Sequence, residues 1–376
     1  MFSFVNLIFI TIDGARQDRI VNGNFFKKVI SENAFFPKVI TNAPFTIAAM
    51  HAVFSGVYGF KNGVNSYWSS PNFKKNIFKT LPRYMRDHNY VTYGDSINKL
   101  ILPPDGFDEL KIHDELHDNL TERHKMLLEK MSNEKKLGKN FFLYLHYSNI
   151  HTGIMEKVLK PYDNFSTEYF SNKKKNSEYY DKLFNDADKY LEEIYKHLQN
   201  LGLEEDTLLV VISDHGISIG EKIGERAYGV FCYDTTLIST AIFCHPKLNS
   251  MIFKNQVRSV DILPTILEIL SIPLDKNFES MDGKSLVPLI NGNNESRIAF
   301  SQSGNPLDSG KPPKEPNVYS VRTDEWKYIR NIHDSTEELY DLLNDPHENS
   351  NLLSQKTEKS VEMSNLMDEI LNQKTQ

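Results

Sequence analysis

The chain has 376 residues, 40% hydrophobic and 25% charged, with a formal net charge of −7 and two cysteines. That length holds one large α/β domain with an appendage, or two medium domains. The negative balance argues against broad nucleic-acid binding. Cys232 and Cys244 offer neither a disulfide framework nor a thiolate zinc site.

The N-terminal run "VNLIFITI" (5–12) is apolar and β-branched, but too short to cross a bilayer. It has no basic leader and no small-residue cleavage site, and Asp13 ends it. It predicts a buried first strand and a cytoplasmic protein without a membrane span. In "NAPFTIAAMHAVFSG" (42–56), Thr46 stands where a loop enters an Ala-rich helix, an ordinary N-cap position. Near-continuous apolar runs at "NFFLYLHYS" (140–148), "TLLVVIS" (207–213) and "ISTAIFC" (238–244) predict strands buried on both faces of a largely parallel sheet. The Lys-rich "NKKKNSEYY" (172–180) reads as solvated surface. Next, "DADKYLEEIYKHLQNLG" (186–202) predicts a helix, with Leu191, Ile194, Tyr195 and Leu198 on one stripe. Strands alternating with helices give a doubly wound α/β fold. After about residue 292 the chain turns loop-rich, as in "NPLDSGKPPKEPN" (305–317). Then "VYSVRTDEWKYIRNI" and "EELYDLL" predict antiparallel strands, and a polar helix follows from about residue 357. The expected division is a catalytic domain over 1–292 and a small α+β subdomain over 293–376.

Functional side chains of parallel sheets gather at the carboxyl ends of strands. Asp13 follows the first strand, "HYSNIH" brings His146 and His151 to the second, and "SDHG" puts Asp214 and His215 after the third. Carboxylate oxygens with an imidazole suit Mn²⁺, Zn²⁺ or Mg²⁺. The Thr46 hydroxyl can complete the set, acidified by the ion, with helix-start amides attracting an anionic substrate. Singly, each has a plainer reading: Asp13 a turn residue, His151 a satisfied loop histidine, Thr46 a cap. Together, in this order and on this alternation, they make a site. Lys222 and Arg226, after "SDHG", and Lys327 are candidate anion contacts.

At these residues the chain resembles the sulfatase branch of the alkaline phosphatase superfamily. "LIFITIDGARQDRI" is similar to the family's opening, with Asp13, Arg16 and Asp18. "TIAAMHAVFSG" matches the register of the sulfatase signature and puts Thr46 at the nucleophile. "LHYSNIHTG" resembles the segment with a substrate-contacting His, here His151, and "TLLVVISDHG" the second metal motif. "VRSVDILPTILEIL", "MDGKSLVPLI", "WKYIRN" and "ELYDLLNDPHENSNL" resemble later family segments. The resemblance implies an alkaline-phosphatase-like fold and metal-dependent ester hydrolysis. The departures matter for the chemistry: Thr46, Ala48 and Met50 stand where formylglycine formation needs Cys or Ser, Pro and Arg. A set of Asp, Thr, Asp and His is instead similar to the superfamily's phosphodiesterases, phosphoglycerol transferases and phosphomutases, in which Thr attacks phosphorus. The Asp-x-x-x-His pair of bimetallic members is missing: Asp186 and Asp188 have Tyr190 and Glu192 four residues on.

The resulting expectation is one divalent ion, Mn²⁺ or Zn²⁺ before Mg²⁺ or Ca²⁺, held by Asp13, Thr46, Asp214 and His215. Thr46 and His151 are the catalytic pair, with His151, Lys222, Arg226 and Lys327 contacting substrate. The substrate is a small-molecule, glycan-linked or lipid-linked ester of phosphate, a phosphodiester or phosphomonoester, cleaved by hydrolysis or transfer. The alternatives are a sulfate or phosphonate ester on the same site, and an inactive binding protein on the same scaffold.

Overall fold

β1 (Asn6–Ile12) is buried at every position because both of its faces are covered. Leu7 and Phe9 point to one apolar layer, Ile8, Ile10 and Ile12 to the other. The computed structural model describes residues 6–103, 105–159, 167–225, 227–306, 311 and 313–373. The other central strands are β2 (Ala34–Ile40), β3 (Val91–Ser96), β4 (Glu109–Ile112), β5 (Phe141–Tyr147), β6 (Thr207–Ile212), β7 (Ile238–Cys244), β8 (Met251–Ile252) and β9 (Val257–Arg258). They form a nine-stranded sheet ordered β4-β3-β5-β1-β6-β7-β2-β8, with β9 also on β2. β4, β3, β5, β1 and β6 run parallel, and β7 is antiparallel to both β6 and β2. The four strands expected from sequence lie within a residue of their expected ends.

One face of the sheet is covered by helices Asn24–Glu32, Leu120–Lys136 and Lys173–Asn200, the other by Thr46–Ser55, Leu81–Asp87 and Ile262–Ile269. Lys173–Asn200 begins well before the expected residue 186. Tyr180, Phe184 and Ala187 extend its apolar stripe backwards at helical spacing, while Lys173, Lys174 and Lys175 stay exposed. β2 was hidden by Pro37, which a β-bulge between Phe36 and Val39 absorbs. Among the described residues no helix is long and apolar enough to cross a membrane.

A second, antiparallel sheet comprises β10 (Ala299–Ser303), β11 (Val318–Arg322), β12 (Trp326–Asn331) and β13 (Thr336–Asp341), in sequence order. The C-terminal helix Thr357–Asn372 covers it through Met363 and Met367. A buried ion-pair network clamps this sheet to the large one. Asp234, just before β7, receives Arg322 at 2.7 Å and Lys327 at 2.8 Å, and Lys327 also meets Glu348 at 2.7 Å.

Removing one member of such a network leaves buried charge unpaired. Lys327→Met is expected to cost about 3–5 kcal/mol of unfolding free energy, measured by urea titration, without changing KM for a small ester.

His51, buried on the helix Thr46–Ser55, gives a second expectation. Burial pulls its pKa down to about 4, against an ordinary value of 6.5. The unfolded chain therefore takes up a proton first as pH falls. Stability from the neutral ring is complete above about pH 6.5 and lost on acidification towards 4. Between pH 7 and 5 this amounts to about 2 kcal/mol. Urea midpoints of His51→Leu at the two pH values should show that much less acid sensitivity than the parent.

Candidate active site

The register of the parallel strands brings the chemistry together. Thr11 of β1 lies beside His146 of β5 on one side and Ile212 of β6 on the other. The residues just beyond these strand ends therefore converge. Gly14, at φ +72°, turns the chain immediately after Asp13. Gly216 lets the backbone after His215 approach Thr235, whose carbonyl oxygen would lie 2.3 Å from any Cβ there.

Thr46 arrives from the far side of the sheet. The loop after β2 is fixed by Ser301 Oγ donating to the Thr41 carbonyl at 2.6 Å and by the Gln302 amide donating to the Asn42 carbonyl at 2.9 Å. The helix starts at Thr46 with Phe45 as its N-cap, and no side chain caps it. The plain cap reading therefore fails. The Thr46 hydroxyl instead donates to Asp13 Oδ2 at 3.2 Å and lies 3.3 Å from His215 Nε2.

Around that hydroxyl the polar atoms do not satisfy one another. Asp214 Oδ1 accepts from the amides of Gly14 at 3.0 Å and His215 at 2.9 Å, leaving Oδ2 buried and without a hydrogen-bond partner. Asp13 Oδ1 is orphaned in the same way. His215 Nδ1 sits 2.8 Å from the Gly216 carbonyl, which assigns it the proton and turns the Nε2 lone pair inwards. Nε2 lies 3.4 Å from Asp214 Oδ2 and 3.7 Å from Asp13 Oδ1. Two orphan carboxylate oxygens, an imidazole lone pair and a hydroxyl fit a divalent cation.

The electrostatics agree. Burial pushes the Asp214 carboxyl up, and the neighbouring charge of Asp13 adds to that. Burial also raises Asp13, but His151, His146 and His215 more than offset it and hold that carboxyl below the usual range. Two carboxyls driven apart in this way share one site.

Two further residues belong to the site. His146 Nε2 lies 3.1 Å from Asp13 Oδ2, and its Nδ1 meets Tyr144 Oη at 2.9 Å. Tyr144 and His146 are two apart on β5, hence on one face. The sequence already set His146 at this strand end, whereas Tyr144, inside the apolar run, read as core. Tyr228 stands between two site histidines, its ring 5.4 Å from His151 and 5.1 Å from His215, with Oη 3.2 Å from His151 Nδ1. It sits in an irregular loop, where no periodicity marks a functional residue. His151 is brought close, Nδ1 being 3.7 Å from Asp13 Oδ1 with about a fifth of its side chain exposed.

The structure does not bring Lys222 and Lys327 to Thr46. Lys222 Nζ donates to the Glu348 carbonyl and stacks over Tyr233, and Lys327 is fully buried in the clamp. As substrate contacts both are replaced by this structural role. Their charges are used in joining the two sheets. Arg226 lies outside the described residues.

Comparison with known proteins places this geometry. The chain is 29% identical over 202 residues to "Arylsulfatase K" of Canis lupus familiaris, covering 50% of this chain and 35% of that one. It is 25% identical over 167 residues to "Choline-sulfatase" of Rhizobium meliloti (strain 1021), covering 44% and 30%. The match thus spans about a third of those relatives' length. Among solved structures, a 2-O GAG sulfatase superposes with a TM-score of 0.81 at 18% identity, covering 99% of this chain and 93% of that one. A phosphonate monoester hydrolase from Silicibacter pomeroyi gives 0.71 at 16%, covering 99% and 95%. The fold is shared with both: a largely parallel central sheet between helices, with an antiparallel C-terminal subdomain. A model of the N-sulphoglucosamine sulphohydrolase C-terminal region matches residues 230–376. The sulfatase model itself matches residues 6–272, from β1 past the helix Ile262–Ile269, and on that match the chain belongs to the sulfatase family.

Proposed function

We propose that this chain is a metal-dependent hydrolase of a singly charged phosphorus ester, a phosphodiester first, with Thr46 Oγ1 as nucleophile. The observation that carries the reading is the Thr46 hydroxyl, turned from its helix onto Asp13 Oδ2 and His215 Nε2 beside two orphan carboxylate oxygens. A divalent ion held by Asp13, Thr46, Asp214 and His215 would supply positive charge for the ester oxygens and acidify that hydroxyl.

The chain's own residues perform the rest. Asp13 Oδ2 orients Thr46 through their hydrogen bond, and His146 fixes that carboxylate from behind. Oγ1 passes its proton to Asp13 Oδ2, its hydrogen-bond acceptor, and attacks phosphorus. The Oγ1–P bond forms as the bond to the leaving alcohol breaks, and His151, partly exposed, gives the departing alkoxide a proton. Water then attacks phosphorus, giving a proton to His151, the Oγ1–P bond breaks, and Thr46 recovers its proton from Asp13 Oδ2, giving alcohol and acid in all. Tyr228 steadies His151 through its hydroxyl.

Charge favours the singly ionised ester. Arg16 is engaged by Asp18, Glu221 and the Ile217 carbonyl, and Lys222 and Lys327 serve the clamp. A dianionic monoester asks for more positive charge than imidazoles and one ion provide. A sulfate ester, also singly charged, is the second reading, favoured by the family match.

Assays with bis-p-nitrophenyl phosphate, p-nitrophenyl phenylphosphonate, p-nitrophenyl phosphate and p-nitrophenyl sulfate separate these cases. The diester should turn over fastest with Mn²⁺ or Zn²⁺. Thr46→Ala should lower kcat by at least about 10³-fold, as loss of a nucleophile does, with Thr46→Ser recovering part. Full activity in Thr46→Ala overturns the covalent step, and turnover of the sulfate ester alone selects the second reading. Chelation should abolish hydrolysis, and Asp214→Asn should raise the ion concentration needed to restore it by about 10-fold or more.

A further inference from the structure

A second group of ligand-type side chains lies on the other side of β5. Asp95 comes from the end of β3, His113 follows β4, and His124 is on the helix Leu120–Lys136. All three are buried, and their donor atoms gather within 4.8 Å. His113 Nδ1 lies 2.5 Å and His124 Nε2 3.5 Å from the same oxygen, Asp95 Oδ1.

The outer atoms are all engaged. His113 Nε2 meets Ser148 Oγ at 3.0 Å, His124 Nδ1 meets Tyr190 Oη at 2.7 Å, and Arg123 Nε holds Asp95 Oδ2 at 2.5 Å. Metal-binding histidines are oriented in this way, each outer nitrogen held so that the inner lone pair faces the ion. The inner side is incomplete: the buried His124 Nε2 has only the long 3.5 Å contact to Asp95 Oδ1. A network built only of hydrogen bonds would leave the desolvation of that atom uncompensated.

We propose that Asp95 Oδ1, His113 Nδ1 and His124 Nε2 bind a zinc-class divalent cation at a site separate from Thr46. Two imidazoles and one carboxylate select zinc-like ions over Ca²⁺ and Mg²⁺, which prefer oxygen. Tetrahedral zinc places its donors about 3.3 Å apart. The His124 contact already has that spacing. The His113 contact widens as the ion displaces the proton between Nδ1 and Oδ1, which leaves to solvent. A cavity of ≈ 400 Å³, whose lining includes Asp95, Lys111, Asp118, Arg123 and the exposed Met126, opens beside the carboxylate ligand. The bound ion ties β3, the segment after β4 and the helix Leu120–Lys136 together. His113 is also one ring, at 6.3 Å, from His146, which positions Asp13.

The test uses Asp13→Asn full-length protein as background, so that the Thr46 centre does not dominate the metal content. After chelation and dialysis against zinc, elemental analysis should find about one ion per chain, lost to background when His113→Gln or His124→Gln is added. Tyr190→Phe, which keeps all three ligands, should weaken zinc affinity about 10-fold. The site is overturned if the Asp13→Asn protein retains no zinc, or if its zinc survives both histidine substitutions. Should the histidine variants fail to fold by circular dichroism, Tyr190→Phe decides: an unchanged zinc affinity there also overturns it. None of these outcomes depends on which ester the Thr46 centre cleaves.

Discussion

Two buried carboxylates facing one another are the constraint on which the site depends. Asp13 and Asp214 are each 1% exposed, and each keeps one oxygen without a hydrogen-bond partner. Buried like charges at this range are strongly unfavourable unless one takes up a proton or a cation lies between them. The surroundings supply donors and imidazoles on three sides, through the Gly14 amide, His146 and His215. The remaining side holds the Thr46 hydroxyl. The parallel register of β5, β1 and β6 creates this arrangement, because their carboxyl ends stop at one level.

Where residues carry their signal locally, the sequence was readable. β1, β5, β6 and β7 are near-continuous apolar runs, and Asp13, Asp214 and His215 stand just after two of them. β2 was not readable, since Pro37 interrupts it and only the bulge opposite β7 tolerates the ring. The reversed direction of β7 was hidden as well, because an apolar strand reads the same either way. Long-range partners set the rest. Lys222 and Lys327 look like anion contacts until Glu348, more than a hundred positions from Lys222, is seen to hold both. His146 is visible in the sequence at a strand end, but its partner is set only when β1 places Asp13 beside it.

The two ligand clusters also explain why β5 has polar side chains near its end. His146 faces Asp13, and Ser148, just past the strand, holds His113. An apolar pair there would suit the core better by transfer energy alone. Each of these polar groups instead has a partner across a strand boundary. These side-chain contacts join β1, β3 and β5 beyond their backbone ladders.

The N-terminus of the helix Thr46–Ser55 leaves the Thr46 hydroxyl free for the site. A threonine at that junction could serve one residue earlier as a cap, a role worth about 1 kcal/mol to a helix. Here Phe45 takes the cap position, with an extended backbone and no side-chain acceptor. The ring is accommodated by stacking on Tyr67, with centroids 4.3 Å apart. Thr46 is thereby released to meet Asp13, and no side chain competes for the first-turn amides. Uncapped amides at the start of a ten-residue helix carry partial positive charge towards any anion near Thr46. The proposed nucleophile is thereby the first residue of this helix, next to those free amides.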